Sequence, residues 1–114
     1  MRKKLEVILC SIPPGKVTTY AAIGKLLGVS PRVIGMMLKK NRYPIVIPCH
    51  RVIKSDGSLG GYSGPGGVRG KNALLFLEGV RFLPDGKVDP ACILSSKELD
   101  RLIKEKFHKF ATVK

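Results

Sequence analysis

The apolar positions of this chain fall into short helical stripes separated by proline, glycine and capping residues. Leu5, Val7 or Ile8, Leu9 and Ile12 recur at helical spacing, and Pro13-Pro14-Gly15 stops that first helix. Thr18 or Thr19 can cap a second helix over about Tyr20 to Leu27. Its apolar stripe is Ala22, Ile23, Leu26 and Leu27, and Gly28 suits the left-handed position that ends it. Ser30-Pro31 restarts a helix, with a hydroxyl cap and then proline in the first turn, running to about Lys40. On it Val33, Met36, Met37 and Lys40 share one face, and Arg32, Lys39 and Gly35 lie nearer another. Two short helices joined by Gly28-Val29-Ser30 read as a helix-turn-helix.

Asn41-Arg42-Tyr43-Pro44 breaks the pattern, and Ile45-Val46-Ile47 then reads as a short buried run leading into Pro48-Cys49-His50-Arg51-Val52. Seven glycines from Gly57 to Gly70 predict a loop that moves or lets something approach closely. A helix over about Lys71 to Leu77 follows, ended by Glu78-Gly79. Val80-Arg81-Phe82, Pro84-Asp85-Gly86 and Lys87-Val88 predict a small hairpin or wing. Ser95-x-x-Glu98 is a capping box, and the helix it opens, over about residues 95–110, points Leu99, Leu102, Ile103, Phe107 and Phe110 at the core. The predicted fold is mostly α with a small β hairpin, a winged helix-turn-helix-like arrangement.

Length and composition narrow this further. With 114 residues, 44% apolar and 25% charged, the sequence is expected to form one globular domain over 1–114. The longest charge-free run, Gly57 to Val68, is glycine-rich, so no membrane span fits, and the start of the chain does not resemble a signal peptide. Cys10, Cys49 and Cys92 make no disulfide framework and no Cys-x-x-Cys zinc pair, which points to a reducing, cytosolic setting. Charge carries more information. The net charge is +13, and residues 1–54 hold eleven basic side chains against one acid, Glu6. Such an excess suits a polyanion, most simply nucleic acid. A thermophile's charged surface would bring Glu along with Lys, and the first half has almost none.

Cys49-His50 is the candidate chemistry. A cysteine is nucleophilic as thiolate, and an imidazole or a positive charge nearby makes that form accessible near neutral pH. Sequence adjacency does not make the two side chains face each other; a turn or a water has to close the gap, and Pro48 helps define such a turn. An isolated pair of this kind is more often packing than catalysis, so its context decides.

That context resembles a known family. Ile47-Pro48-Cys49-His50-Arg51-Val52 is similar to the active-site signature of the O6-alkylguanine-DNA alkyltransferases. Gly15-Lys16-Val17-Thr18-Thr19-Tyr20, Arg32, Asn41, Tyr43-Pro44-Ile45, Ser55-x-Gly57, Gly61-Tyr62-Ser63-Gly64 and Leu77-Glu78-Gly79 continue the match in the family's order, over about residues 4–88. The resemblance implies a monomeric DNA repair protein of the cytoplasm, or nucleoid if the source is prokaryotic. It would bind double-stranded DNA containing O6-alkylguanine, flip the lesion into a pocket and take the alkyl group irreversibly onto its own cysteine. It also implies roles. Cys49 resembles the acceptor, His50 the base that takes the thiol proton through a water, and Glu78 the carboxylate that orients His50. Asn41 resembles the brace of the active-site turn, Tyr20 the tyrosine that rotates the nucleotide, and Arg32 the finger that fills the vacated stack. The Val52 and Cys49 carbonyls and Ser63 match positions lining the guanine pocket. Tyr62 falls on the pocket rim, while Lys39, Lys40, Arg42 and Lys71 are expected to meet phosphates or water. Displacement at a saturated carbon needs no metal or organic cofactor.

The chemistry of single positions agrees with several of these roles. Arg32 is second in its helix, where a long cation can enter a duplex and fill a gap left by an extruded base. Glu78 is an unusual helix-end residue, because the C-terminal dipole disfavours a negative charge unless a cation offsets it. Members of the family commonly carry a further N-terminal domain, in some cases with a zinc site. Here that domain and its zinc are not expected, and the helix at about 95–110 is expected to take over some of its support. Two other readings remain open: a non-catalytic, alkyltransferase-like lesion-binding protein, which usually lacks the acceptor cysteine, and a helix-turn-helix transcription factor, which gives Cys49, His50 and Glu78 no joint role.

Overall fold

The computed structural model describes residues 2–112, with side chains through residue 106. Five helices surround a three-stranded sheet: α1 (Arg2–Ser11), β1 (Val17–Thr19), α2 (Tyr20–Leu27), α3 (Pro31–Lys39), β2 (Val52–Ile53), α4 (Gly67–Leu77), β3 (Ile93–Leu94) and α5 (Ser96–Thr112). Single 3-10 turns at Cys49–Arg51 and Pro90–Cys92 lead into β2 and β3. The fold is mostly α, as the stripes predict.

The capping chemistry works as the sequence requires. Thr19 Oγ1 accepts from the Ala22 amide (3.0 Å), and Gly28 ends α2 at φ 74°. Ser30 Oγ accepts from the Val33 amide (3.3 Å), with Pro31 behind it. The chain bends by 102° between α2 and α3, within the range of a helix-turn-helix. Gly24 makes the close approach possible, since a Cβ there would sit 2.5 Å from the Val29 carbonyl oxygen. The Ser95–Glu98 capping box closes in both directions, at 3.1 and 3.2 Å.

The core follows from these stripes. Leu5, Ile8, Leu9 and Ile12 pack with Ile23, Ile34, Leu38, Cys49, Val52, Leu94 and Leu99, with Leu102 and Ile103 at its edge. Phe107 and Phe110, expected on the same face, lie outside the described side chains. A second cluster, Val17, Ile53, Leu75, Val80, Val88 and Cys92, fills the space under α4.

Several expectations need correction. The buried stripe of α3 is Ile34–Leu38, one turn apart and facing α2; Met36, on the expected face, is 56% exposed. Ile45-Val46-Ile47 is not a buried run. It is a tight turn in which the Ile47 amide donates to the Tyr43 carbonyl (2.8 Å), leaving Val46 80% exposed. The α4 helix starts at Gly67, a turn before Lys71. The parallel sheet, in the order β2-β1-β3, was not anticipated, because strands of two or three residues show no alternation. The expected small hairpin is present: Leu83 N–H donates to the Lys87 carbonyl (2.7 Å), Asp89 N–H to the Arg81 carbonyl (2.9 Å), and Phe82 and Val88 form an antiparallel bridge.

Candidate active site

β1 is the central strand, pairing Thr18 with Val52 on one side and with Leu94 on the other. That registration fixes where β2 begins, and so fixes the 3-10 turn just before it. Cys49 and His50 occupy this turn, Cys49 5% and His50 0% exposed. Asn41 holds the turn from behind. Its Nδ2 donates to the Ile47 carbonyl (2.9 Å), which also accepts the Cys49 amide (2.8 Å), while its Oδ1 accepts from the Tyr43 amide (3.0 Å). One side chain thus ties the 43–47 turn to the backbone of the cysteine.

Glu78 caps the C-terminus of α4, where the helix dipole is unfavourable to it. Two cations or potential cations offset this. His50 Nε2 lies 3.0 Å from Glu78 Oε2, and Arg51 binds both carboxylate oxygens, Nε to Oε1 at 2.9 Å and Nη2 to Oε2 at 2.7 Å. Arg51 Nη1 also donates to the Ile12 carbonyl (2.7 Å), joining the site to the end of α1. The sequence drew attention to Arg51 only as a neighbouring charge; its place inside the signature, two residues from the cysteine, was the available signal of a larger part.

Electrostatics sort these groups. Burial pulls the His50 pKa below its ordinary value; the Glu78 bond opposes this, and the Arg51 and Lys71 charges reinforce it. Burial alone would raise the Glu78 carboxyl, but the hydrogen bonds and charges of Arg51 and His50 outweigh it and hold the pKa down. At rest the pair is therefore a neutral imidazole against a carboxylate. With Nε2–H donated to Glu78, Nδ1 carries the lone pair. Nδ1 is buried and finds no hydrogen-bond partner among the described residues, and neither does the Tyr62 hydroxyl, whose ring meets the imidazole edge-on at 6.4 Å. This buried acceptor, next to a cysteine in the chain, has the free lone pair that a general base needs.

The His50 shift has a consequence for stability. As pH falls through 6.5, the unfolded chain gains a proton that the folded imidazole resists, so stability is lost on acidification. Between pH 6.5 and 5, above the range where Glu78 titrates, the melting temperature should fall in the native sequence and fall less in His50→Gln. Equal slopes would show that His50 is not the group responsible.

In front of Cys49 lies a cavity of about 560 Å³, a volume typical of small-molecule sites. Tyr20, Arg32, Gly35, Lys39, Cys49, Lys54, Gly60, Gly61, Tyr62 and Ser63 are among its walls. Of the residues expected there, Tyr20, Arg32, Lys39, Tyr62 and Ser63 line it with Cys49; His50, Glu78 and Asn41 are not among the lining residues. Val52 is the exception among those expected to line it. It is fully buried, it is not among the lining residues, and its carbonyl accepts from the Lys71 ammonium at 2.7 Å. Lys71 itself is 0% exposed, which overturns its expected contact with phosphate or water. Lysine is a poor candidate for complete burial by composition alone, so nothing local in the sequence could flag it.

Comparison with known proteins adds the family. The model of the 6-O-methylguanine DNA methyltransferase DNA-binding domain matches residues 1–80. The chain belongs to this methyltransferase family. A methylated-DNA–protein-cysteine methyltransferase from Pyrobaculum aerophilum is 52% identical over 77 residues, 68% of this chain and 51% of that protein. The crystal structure of the O6-methylguanine-DNA methyltransferase from Pyrococcus kodakaraensis superimposes with a TM-score of 0.63 at 44% identity, over 69% of this chain and 46% of that one. Atl1 of S. pombe, in complex with damaged DNA containing O6-carboxymethylguanine, gives a TM-score of 0.67 at 28% identity, over 82% of this chain and 94% of that one. This methyltransferase-family chain thus spans about half the length of the curated relatives it matches. Beyond the matched segment, α5 packs on α1 and α2, Leu99 enters the core, and Lys106 Nζ donates to the Cys10 carbonyl at the end of α1 (3.2 Å).

Proposed function

We propose that this protein binds duplex DNA carrying O6-alkylguanine and transfers the alkyl group to Cys49. The observation that supports this most is the position of Cys49 on the wall of a cavity of about 560 Å³, next in the chain to a buried His50 that is hydrogen-bonded to Glu78. DNA complexes of related proteins, the basic first half of the chain and the α2–α3 helix-turn-helix support duplex DNA as the partner.

The chain's own groups account for each step of the transfer. His50 Nδ1 accepts the thiol proton, directly or through water, and Glu78 stabilises the imidazolium through Nε2. The sulfur attacks the alkyl carbon; the S–C bond forms as the C–O6 bond breaks. The electron pair of the broken bond goes to the guanine O6, and the purine takes up one ring proton, which balances the proton that His50 removed from the thiol. The product is a thioether, which His50 cannot reverse by proton transfer, so each molecule reacts once. Asn41 holds the turn that aims the sulfur. In this reading Tyr20 and Ser63 meet the extruded base, and Arg32 and Lys39 the duplex it left; their places on the cavity wall support it. The protein should therefore consume O6-methylguanine from a duplex until one lesion per protein molecule is gone. A duplex that keeps its lesion after tight binding would contradict the proposal.

A second reading is lesion recognition without transfer. It is favoured by the overlap with nearly the full length of Atl1. The same experiment separates the two, since that reading predicts binding with no loss of lesion.

A further inference from the structure

Lys71 is the largest fully buried side chain that the mechanism above does not use. A lysine ammonium has three N–H donors. Here all three meet backbone carbonyls: Val52 at 2.7 Å, Leu59 at 2.5 Å and Gly61 at 3.2 Å. Val52 directly follows the Cys49–Arg51 turn, whereas Leu59 and Gly61 flank Gly60 in the glycine-rich loop that walls the cavity. One side chain therefore fastens the loop wall to the strand that follows the cysteine's turn. The fit is tight: Gly60 adopts φ 73°, and a Cβ there would stand 3.1 Å from the Tyr20 hydroxyl.

No carboxylate pairs with Lys71 among the described residues. A buried charge with no counter-ion is costly, and an apolar side chain would fill the same space at less expense. Burial lowers its pKa from 10.5 to about 8, and a Cys49 thiolate pulls it back up. Its charge also disfavours protonation of His50. Its Nζ lies 5.8 Å from the centre of the Tyr20 ring. The titratable groups around this corner are Tyr20 from α2, Cys49 and His50 from the active-site turn, Lys54 from the end of β2 and Tyr62 from the loop, with the Arg51–Glu78 pair behind.

We propose that Lys71 is a positioning residue for alkyl transfer, its ammonium pinning the glycine-rich wall to β2 and holding an uncompensated positive charge at the strand that follows the Cys49 turn. The inference rests on the proposed function for its meaning, but its physical content can be read without a lesion. Coupling between two charges is reciprocal: if the ammonium favours the thiolate, the thiolate favours the ammonium by the same amount. The neutral amine would have two donors for three carbonyls, so the wall is held fully only while Lys71 is charged.

Two measurements test this. In Lys71→Met, alkylation of Cys49 by iodoacetamide at pH 7 should slow about tenfold, as expected for loss of one nearby charge at an intermediate effective dielectric. The deficit should shrink toward alkaline pH, methyl transfer should slow in parallel, and affinity for undamaged duplex should stay unchanged. Should that variant not fold, nuclear magnetic resonance of lysines labelled at Cε decides the matter in the native sequence. One lysine should titrate near pH 8, and its midpoint should move down in Cys49→Ser. A Lys71 midpoint indifferent to Cys49→Ser, or a folded Lys71→Met with native iodoacetamide kinetics, overturns the proposal. Native protein that reacts with iodoacetamide as described yet never takes a methyl group would overturn the proposed function and leave the coupling intact.

Discussion

Replacing His50 by alanine should slow alkyl transfer about 100-fold or more while leaving affinity for duplex DNA nearly unchanged, the range expected for losing a general base. His50 is fully buried and is not among the residues lining the cavity that Arg32 and Lys39 wall, so its loss should leave their exposed surface intact. Glu78→Gln should act on the same step more mildly. It removes the anion that stabilises the imidazolium, a charge-assisted hydrogen bond of roughly 1.5–3 kcal/mol, or about 10–100-fold in rate. It also leaves Arg51 without its carboxylate, so a modest drop in stability is expected alongside. Single-turnover transfer measured beside duplex affinity checks both variants. A His50→Ala protein that transfers at the native rate would show that the imidazole is only packing.

Arg32→Ala should weaken transfer from duplex far more than from the free modified base. Arg32 is exposed, second in α3, and on the wall of the cavity. Extruding a base costs a few kcal/mol, and a guanidinium that fills the gap and meets nearby phosphates offsets part of that. Losing it should cost roughly 10–100-fold on duplex, where each 1.4 kcal/mol is tenfold. The free base needs no extrusion, so its reaction should hardly change. Equal losses on both substrates would place Arg32 in the chemistry rather than in the extrusion.

What the sequence made legible follows the range of the forces involved. Caps and stops are local, so Thr19, Gly28, Ser30-Pro31 and the Ser95–Glu98 box placed α2, α3 and the start of α5 within a residue or so. The three-stranded sheet was not legible, because its strands come from distant segments and each is too short to alternate. The exposed turn at Ile45-Val46 misled for a related reason: three apolar residues read as burial, and only the bond from Asn41 to Ile47 shows why the chain turns there.

Within the site, the structure brings together some of the residues whose types carry chemistry. His50 and Glu78 do meet, and the helix-end position of Glu78 pointed to a cation that proves to be Arg51, with the neutral His50 imidazole hydrogen-bonded beside it. Lys71 and the Val52 carbonyl were misplaced. Both depend on the path of the glycine-rich loop over α4, a non-local contact that neither periodicity nor charge encodes.

The central claim is that the Cys49 sulfur accepts the alkyl group. Intact mass spectrometry after incubation with an O6-methylguanine duplex tests it most directly. The account predicts that the protein gains one methyl group, that peptide mapping locates it on Cys49, and that Cys49→Ser gains none while still binding the duplex. Native protein of unchanged mass, recovered from a duplex it has bound, would contradict it.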